Sequence, residues 1–153
     1  MNAMGEMLLS MDNLENFNFN KVERITGESR IDNLFIKGIS FVAYPLRVVY
    51  LISSSCSPVR VSVSCAQVPV SVLISVPKKR IKSAVERNKI KRLIRESYRL
   101  NKHILTEING EKDNRQIDIA FVYVKDELMG YLSIEKGMHK ALTELKNRLI
   151  VNS

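Results

Sequence analysis

Apolar residues recur along the chain with two different periods. In residues 28–37, Ile31, Leu34 and Phe35 stand at i, i+3 and i+4, which predicts a short amphipathic helix that Gly38 can close in a left-handed conformation. Residues 41–52 are rich in Val, Tyr, Leu and Phe, the types that suit a pleated surface, and predict one strand ending in the Ser/Cys/Pro-rich stretch at 53–58. Residues 59–65 alternate Val and Ser, and residues 68–76 continue in that manner, as one bent strand or a hairpin. Ile117-Asp118-Ile119-Ala120-Phe121-Val122-Tyr123-Val124 is apolar on both faces and predicts a central strand. In the last segment Ile134, Met138, Ala141, Leu142, Leu145 and Leu149 share one helical face, with Ser133 as candidate N-cap.

The predicted order is therefore helix, two or three strands, a basic helix, strand and helix, an α+β sandwich with helices against a small sheet. Residues 1–20 show no periodicity that would dock them and read as a loose tail, leaving a single domain over 21–152. No internal repeat divides the chain.

Composition adds little until the charge is located. The 153 residues carry 24 Lys+Arg against 16 Asp+Glu, a net +8. Eleven of those cations and two of the acids fall between Lys78 and Lys102, so this window holds +9 and the remainder −1. A local cationic patch on an otherwise balanced domain points to a polyanion, most often nucleic acid.

On a helical projection from Arg87, Leu100, Leu93, Ile104, Ile90 and Ile94 fall between about 220° and 340°, an arc that can pack on the sheet. Arg87, Lys91, Arg95, Arg99 and Arg92 fall between about 0° and 140°, together with Asn88 and Tyr98, and are expected to face solvent or a partner. Like charges at successive i,i+4 positions cost roughly 0.2–0.5 kcal/mol each on an isolated helix. A polyanion that relieves the repulsion explains their retention better than a merely solvated face. Lys78, Lys79, Arg80 and Lys82 extend the charge into the preceding turn, where helix-initial N–H groups also favour phosphate.

Other chemistries find little support. Cys56 and Cys65 match neither a metal knuckle nor a disulfide framework, and His103 and His139 each stand alone, so no metal site is expected. Acidic residues form no recognisable catalytic constellation. Residues 59–76 are interrupted by Arg60, Gln67, Pro69 and serines and are not expected to span a membrane. Residues 1–20 lack Lys and Arg and a long apolar block, unlike a signal peptide, so a cytoplasmic location is expected.

Val76-Pro77-Lys78-Lys79 followed by Ala84-Val85-Glu86-Arg87-Asn88-Lys89-Ile90-Lys91-Arg92-Leu93-Ile94-Arg95-Glu96 resembles the signature of the protein subunit of bacterial ribonuclease P. The resemblance spans roughly residues 21–150. Arg24 leads a segment running into a short helix with Phe35 near its end and Gly38 after it, and Asp118 precedes an apolar strand. It implies a small, mostly antiparallel sheet of about four strands with three helices, in a two-layer, ribosomal-protein-like sandwich with a left-handed βαβ crossover. It also implies a partner, a large catalytic RNA that removes the 5′ leader from precursor tRNA using Mg²⁺, with the protein alone inactive.

Carried over by position, Lys78, Lys79, Lys82, Arg87, Asn88, Lys89, Lys91, Arg92, Arg95 and Arg99 would bind the catalytic RNA, and Phe35 and Arg24 the single-stranded leader. No obligate protein partner and no membrane are implied. Three positions depart from the family pattern. Lys89 replaces the second Arg of an Arg-Asn-Arg core, Ile31 stands where an aromatic is common, and the stretch at 53–67 is longer than the usual connection. Asp118 is expected to be a hydrogen-bonding carboxylate rather than a catalytic one. The competing reading is a general RNA-binding or ribosome-associated domain without a processing role.

Overall fold

The computed structural model describes residues 24–53, 70–106 and 116–151. The chain runs α1 (Glu28–Lys37), β1 (Ile39–Ala43), β2 (Leu46–Ser53), β3 (Val70–Ser75), α2 (Ala84–Asn101), α3 (His103–Thr106), β4 (Gln116–Tyr123) and α4 (Tyr131–Val151). The expected tail at 1–20, the strand at 59–65 with Cys56 and Cys65, and nearly all of the 53–67 stretch lie outside the described residues.

The four strands form one sheet in the order β1-β2-β4-β3. The β1–β2 and β2–β4 pairs are antiparallel, whereas β3 and β4 are parallel neighbours joined through α2 and α3. The α+β class and the small, mostly antiparallel sheet agree with expectation, and β4 is central as its two apolar faces demand. The described residues contain four helices rather than three, the addition being the single turn α3.

Side chains alternate across the strands and divide the interior in two. Leu46, Val48, Tyr50, Val72, Ile119, Phe121 and Tyr123 face a large core shared with α2 and α4. Val49 and Ala120 face the reverse side, where Leu34 of α1 and Ile25 cover them. All six residues of the predicted α4 stripe are buried, the Ile, Met and Leu side chains contributing roughly 1.5–3 kcal/mol each relative to exposure.

Four local expectations fail, each for a physical reason. The single strand expected at 41–52 is a hairpin that turns at Tyr44-Pro45, with Ala43 opposite Leu46 and a cis bond between Tyr44 and Pro45. Pro45 has no N–H to donate to a ladder, so it marks the turn. Gly38 is extended, at φ −69°, rather than left-handed. A Cβ there would lie 2.2 Å from the Leu34 carbonyl oxygen and 2.8 Å from Val49 Cγ1, so close approach, not handedness, excludes other residues. Ser133 lies inside α4 and does not cap it; the helix begins two residues earlier, and Gly130 O accepts from Ile134 N at 3.3 Å.

The fourth concerns α2. Its buried residues are Ile90, Ile94, Ser97, Tyr98 and Asn101, an arc of about 100° turned from the predicted one toward Arg87. Tyr98, expected with the basic stripe, is buried, its ring 5.7 Å from that of Phe121. Leu100, expected in the packing arc, is 36% exposed. Ser97 Oγ donates to Ile94 O and Asn101 Nδ2 to Ser97 O, both at 2.8 Å. Their polar groups are thus satisfied within the helix, which lets these small residues enter the core.

Candidate nucleic-acid interface

The basic helix starts at Ser83, whose Oγ accepts from Glu86 N at 3.5 Å, in a Ser-x-x-Glu arrangement. With the Ile90/Ile94/Tyr98 face turned into the core, Asn88, Lys89 and Arg92 are exposed and Lys91 and Arg95 half-buried at the margin. Lys78, Lys79, Arg80 and Lys82 are exposed on the preceding turn, where Pro77 O accepts from both Arg80 N and Ile81 N. The structure thus gathers the sequence-predicted cations on one helix and its lead-in.

Intramolecular partners divide this group. Among the described residues, Lys78, Lys79, Lys82, Lys89, Lys91 and Arg92 form no ion pair. Arg95 Nε is buried without a hydrogen-bond partner among the described residues. Arg99 is paired with Glu96 one turn back, with Nε 3.0 Å from Oε2. That hydrogen bond holds the Glu96 carboxyl below its ordinary range and raises Arg99 further. Arg80 meets Asp126 at 3.1 Å in an exposed pair. Arg87 Nη1 donates to the carbonyls of Ile81 at 2.9 Å and Lys82 at 2.8 Å, tying the helix to its lead-in turn while keeping its charge.

A second surface lies on the reverse face of the sheet. Arg30 anchors α1 there through Asp118 on β4, and Leu34 fills the space between. Phe35 is left 45% exposed at the helix end. Together with Gly38, Ser40, Arg47, Val49 and Val122 it lines a shallow depression of about 140 Å³. Arg24 is not among these lining residues; it bridges to Val72 beside β3, where Ile25 N donates to Val72 O at 3.2 Å.

Sequence reasoning missed Arg47. It is the one cation within an otherwise apolar run from Leu46 to Ile52, and strand alternation would have turned it away from the buried Leu46 and Val48. Asp118 has the expected role of a bonded carboxylate. No group of three or more His, Cys, Asp or Glu able to hold a metal occurs among the described residues. No described helix is long and apolar enough to cross a membrane.

Comparison with known proteins accords with this geometry. A family model described as Ribonuclease P matches residues 19–146. A Ribonuclease P protein component from Porphyromonas gingivalis is 42% identical over 131 residues, covering 84% of this chain and 87% of its own. Another from Chlorobaculum tepidum is 39% identical over 105 residues, covering 63% of this chain and 61% of its own. The Staphylococcus aureus RNase P protein structure superposes with a TM-score of 0.58 at 25% identity, over 82% of this chain and 97% of that one. The Thermotoga maritima protein, at 20% identity and a TM-score of 0.56 over 80% and 96% of the two chains, shares the fold. A basic helix crossing between parallel neighbours, and a match over most of the chain in sequence and shape, make this chain a member of the ribonuclease P protein family.

Proposed function

We propose that the protein is the protein component of a ribonuclease P ribonucleoprotein, binding the catalytic RNA through α2 and its lead-in and the 5′ leader of precursor tRNA in the depression beside Phe35. The observation that carries this is the row of cations without acidic partners among the described residues: Lys78, Lys79, Lys82, Lys89, Lys91 and Arg92. Such a surface costs self-repulsion in the isolated protein and gains from displacing counterions on a phosphate backbone. Arg92 and Arg95 offer planar forks to phosphate, and Asn88 can donate and accept at once.

Leader binding draws on a different chemistry. A half-exposed phenyl ring beside apolar β-strand residues suits stacking of an unpaired base, worth about 1–3 kcal/mol per base. Ile31, half-buried one turn before Phe35, packs against the Leu34/Val49 cluster rather than lining the depression. Mg²⁺ and the hydrolytic step are assigned to the RNA, and the protein's contribution is to hold both RNAs in register.

Reconstitution tests the proposal. Full-length protein added to its cognate catalytic RNA should raise precursor tRNA cleavage at low Mg²⁺, and protein without RNA should cleave nothing. Cleavage by the protein alone, or no effect on the RNA-catalysed reaction, overturns it.

A further inference from the structure

Among the described residues, the depression beside Phe35 contains one charged side chain. Arg47 stands on β2 opposite Val42 of β1 and Val122 of β4, on the sheet face turned away from the main core. Its Nη2 donates to Ser40 Oγ at 3.3 Å, and it forms no ion pair among the described residues. A guanidinium carries five N–H donors, so this bond leaves most of the fork open while steadying its direction. Among the described residues, no carboxylate lines the depression.

We propose that Arg47 is the phosphate-binding residue of this depression, contacting a leader phosphate while Phe35 stacks on a neighbouring base. The inference rests on the leader reading above. Its chemistry follows from the lining: with Arg47 removed, only Phe, Gly, Ser and two Val would remain among the described residues. Such a surface can take the face of a base but has nothing to offset the charge that every nucleotide brings into it. Arg47 supplies that charge over an apolar floor, where a charge-assisted contact is stronger than in open water. Ser40 acts as a positioning residue for the guanidinium.

The experiment uses holoenzyme reconstituted with the catalytic RNA and the full chain carrying Arg47→Gln, Arg47→Lys or Phe35→Ala. Affinity is measured across a KCl series for precursor tRNA with a leader of several nucleotides and for the same tRNA without it. Arg47→Gln should weaken leader-bearing tRNA about tenfold, as expected for loss of one charged hydrogen bond. Leaderless tRNA should stay within twofold. The log–log salt slope should fall by about 0.7, one single-strand phosphate, and Arg47→Lys should retain it. Equal weakening of both substrates, or no weakening, overturns the assignment. If Phe35→Ala still discriminates the two substrates, the leader reading survives without Arg47; if neither variant discriminates them, both fail.

Discussion

Arg30 and Asp118, 88 residues apart in sequence, form a two-pronged ion pair with Nε 3.0 Å from Oδ2 and Nη2 2.5 Å from Oδ1. The Asp118 side chain is 5% exposed and that of Arg30 26%. Gln116 Nε2 adds a longer contact to Oδ1, at 3.4 Å. This pair fastens α1 to the central strand, and the position of Phe35 depends on it. Arg30→Met would leave the carboxylate buried and unpaired, and should lower unfolding free energy by about 2–3 kcal/mol in urea titration. Asp118→Asn should cost less, because the amide still accepts a bond. A loss under about 0.5 kcal/mol for Arg30→Met would show that solvent screens the pair and that Leu34 alone holds the helix.

The two arginines at the start and middle of α2 should behave differently. Arg92 is exposed and Arg87 is bonded to two carbonyls. Both Arg→Ala changes should weaken binding to the catalytic RNA and flatten its salt dependence. Arg87→Ala should in addition cost about 1–2 kcal/mol of stability, whereas Arg92→Ala should leave the melting temperature unchanged. Equal thermal effects from the two would contradict the division of roles.

Gly38 is a steric requirement. Ala at this position brings its Cβ against a backbone carbonyl that is itself fixed by accepting from Gly38 N at 2.9 Å. Gly38→Ala should destabilise by about 1–3 kcal/mol, as overpacking does, and should also disturb the Phe35 depression. Unchanged thermal unfolding together with unchanged leader affinity would show that the turn relaxes freely.

Tyr123 provides a pH dependence. Burial raises its hydroxyl above the ordinary value of 10, and the hydroxyl donates to Glu127 O at 2.5 Å. A group whose folded value is raised contributes stability that is complete below pH 10 and is lost as pH climbs through the folded value. Unfolding monitored from pH 8 to 11.5 should therefore show alkaline destabilisation that Tyr123→Phe reduces. An identical alkaline slope in the variant would assign the effect to other groups.

Much of the architecture is legible along the chain because it rests on local periodicity. The helix at 28–37 has the expected bounds, every residue of the α4 stripe is buried, and the doubly apolar strand is central. The errors arise where one neighbour decides. Pro45 breaks an apolar run by lacking a donor. Tyr98 turns the buried arc of α2 by packing its ring against that of Phe121, and Ser97 and Asn101 can stay in the core beside it because they satisfy themselves against the helix backbone.

Order along the chain was enough to fix the segregation of charge into one helix, its amphipathic division and the likeness to a known RNA-associated family, since these are properties of residues a few positions apart. Which cations keep their charge unopposed, how Arg30 finds Asp118, and that Phe35 and Arg47 border one depression were decided by the folded sheet. Those relations depend on strand order and register across dozens of residues, and no local period encodes them.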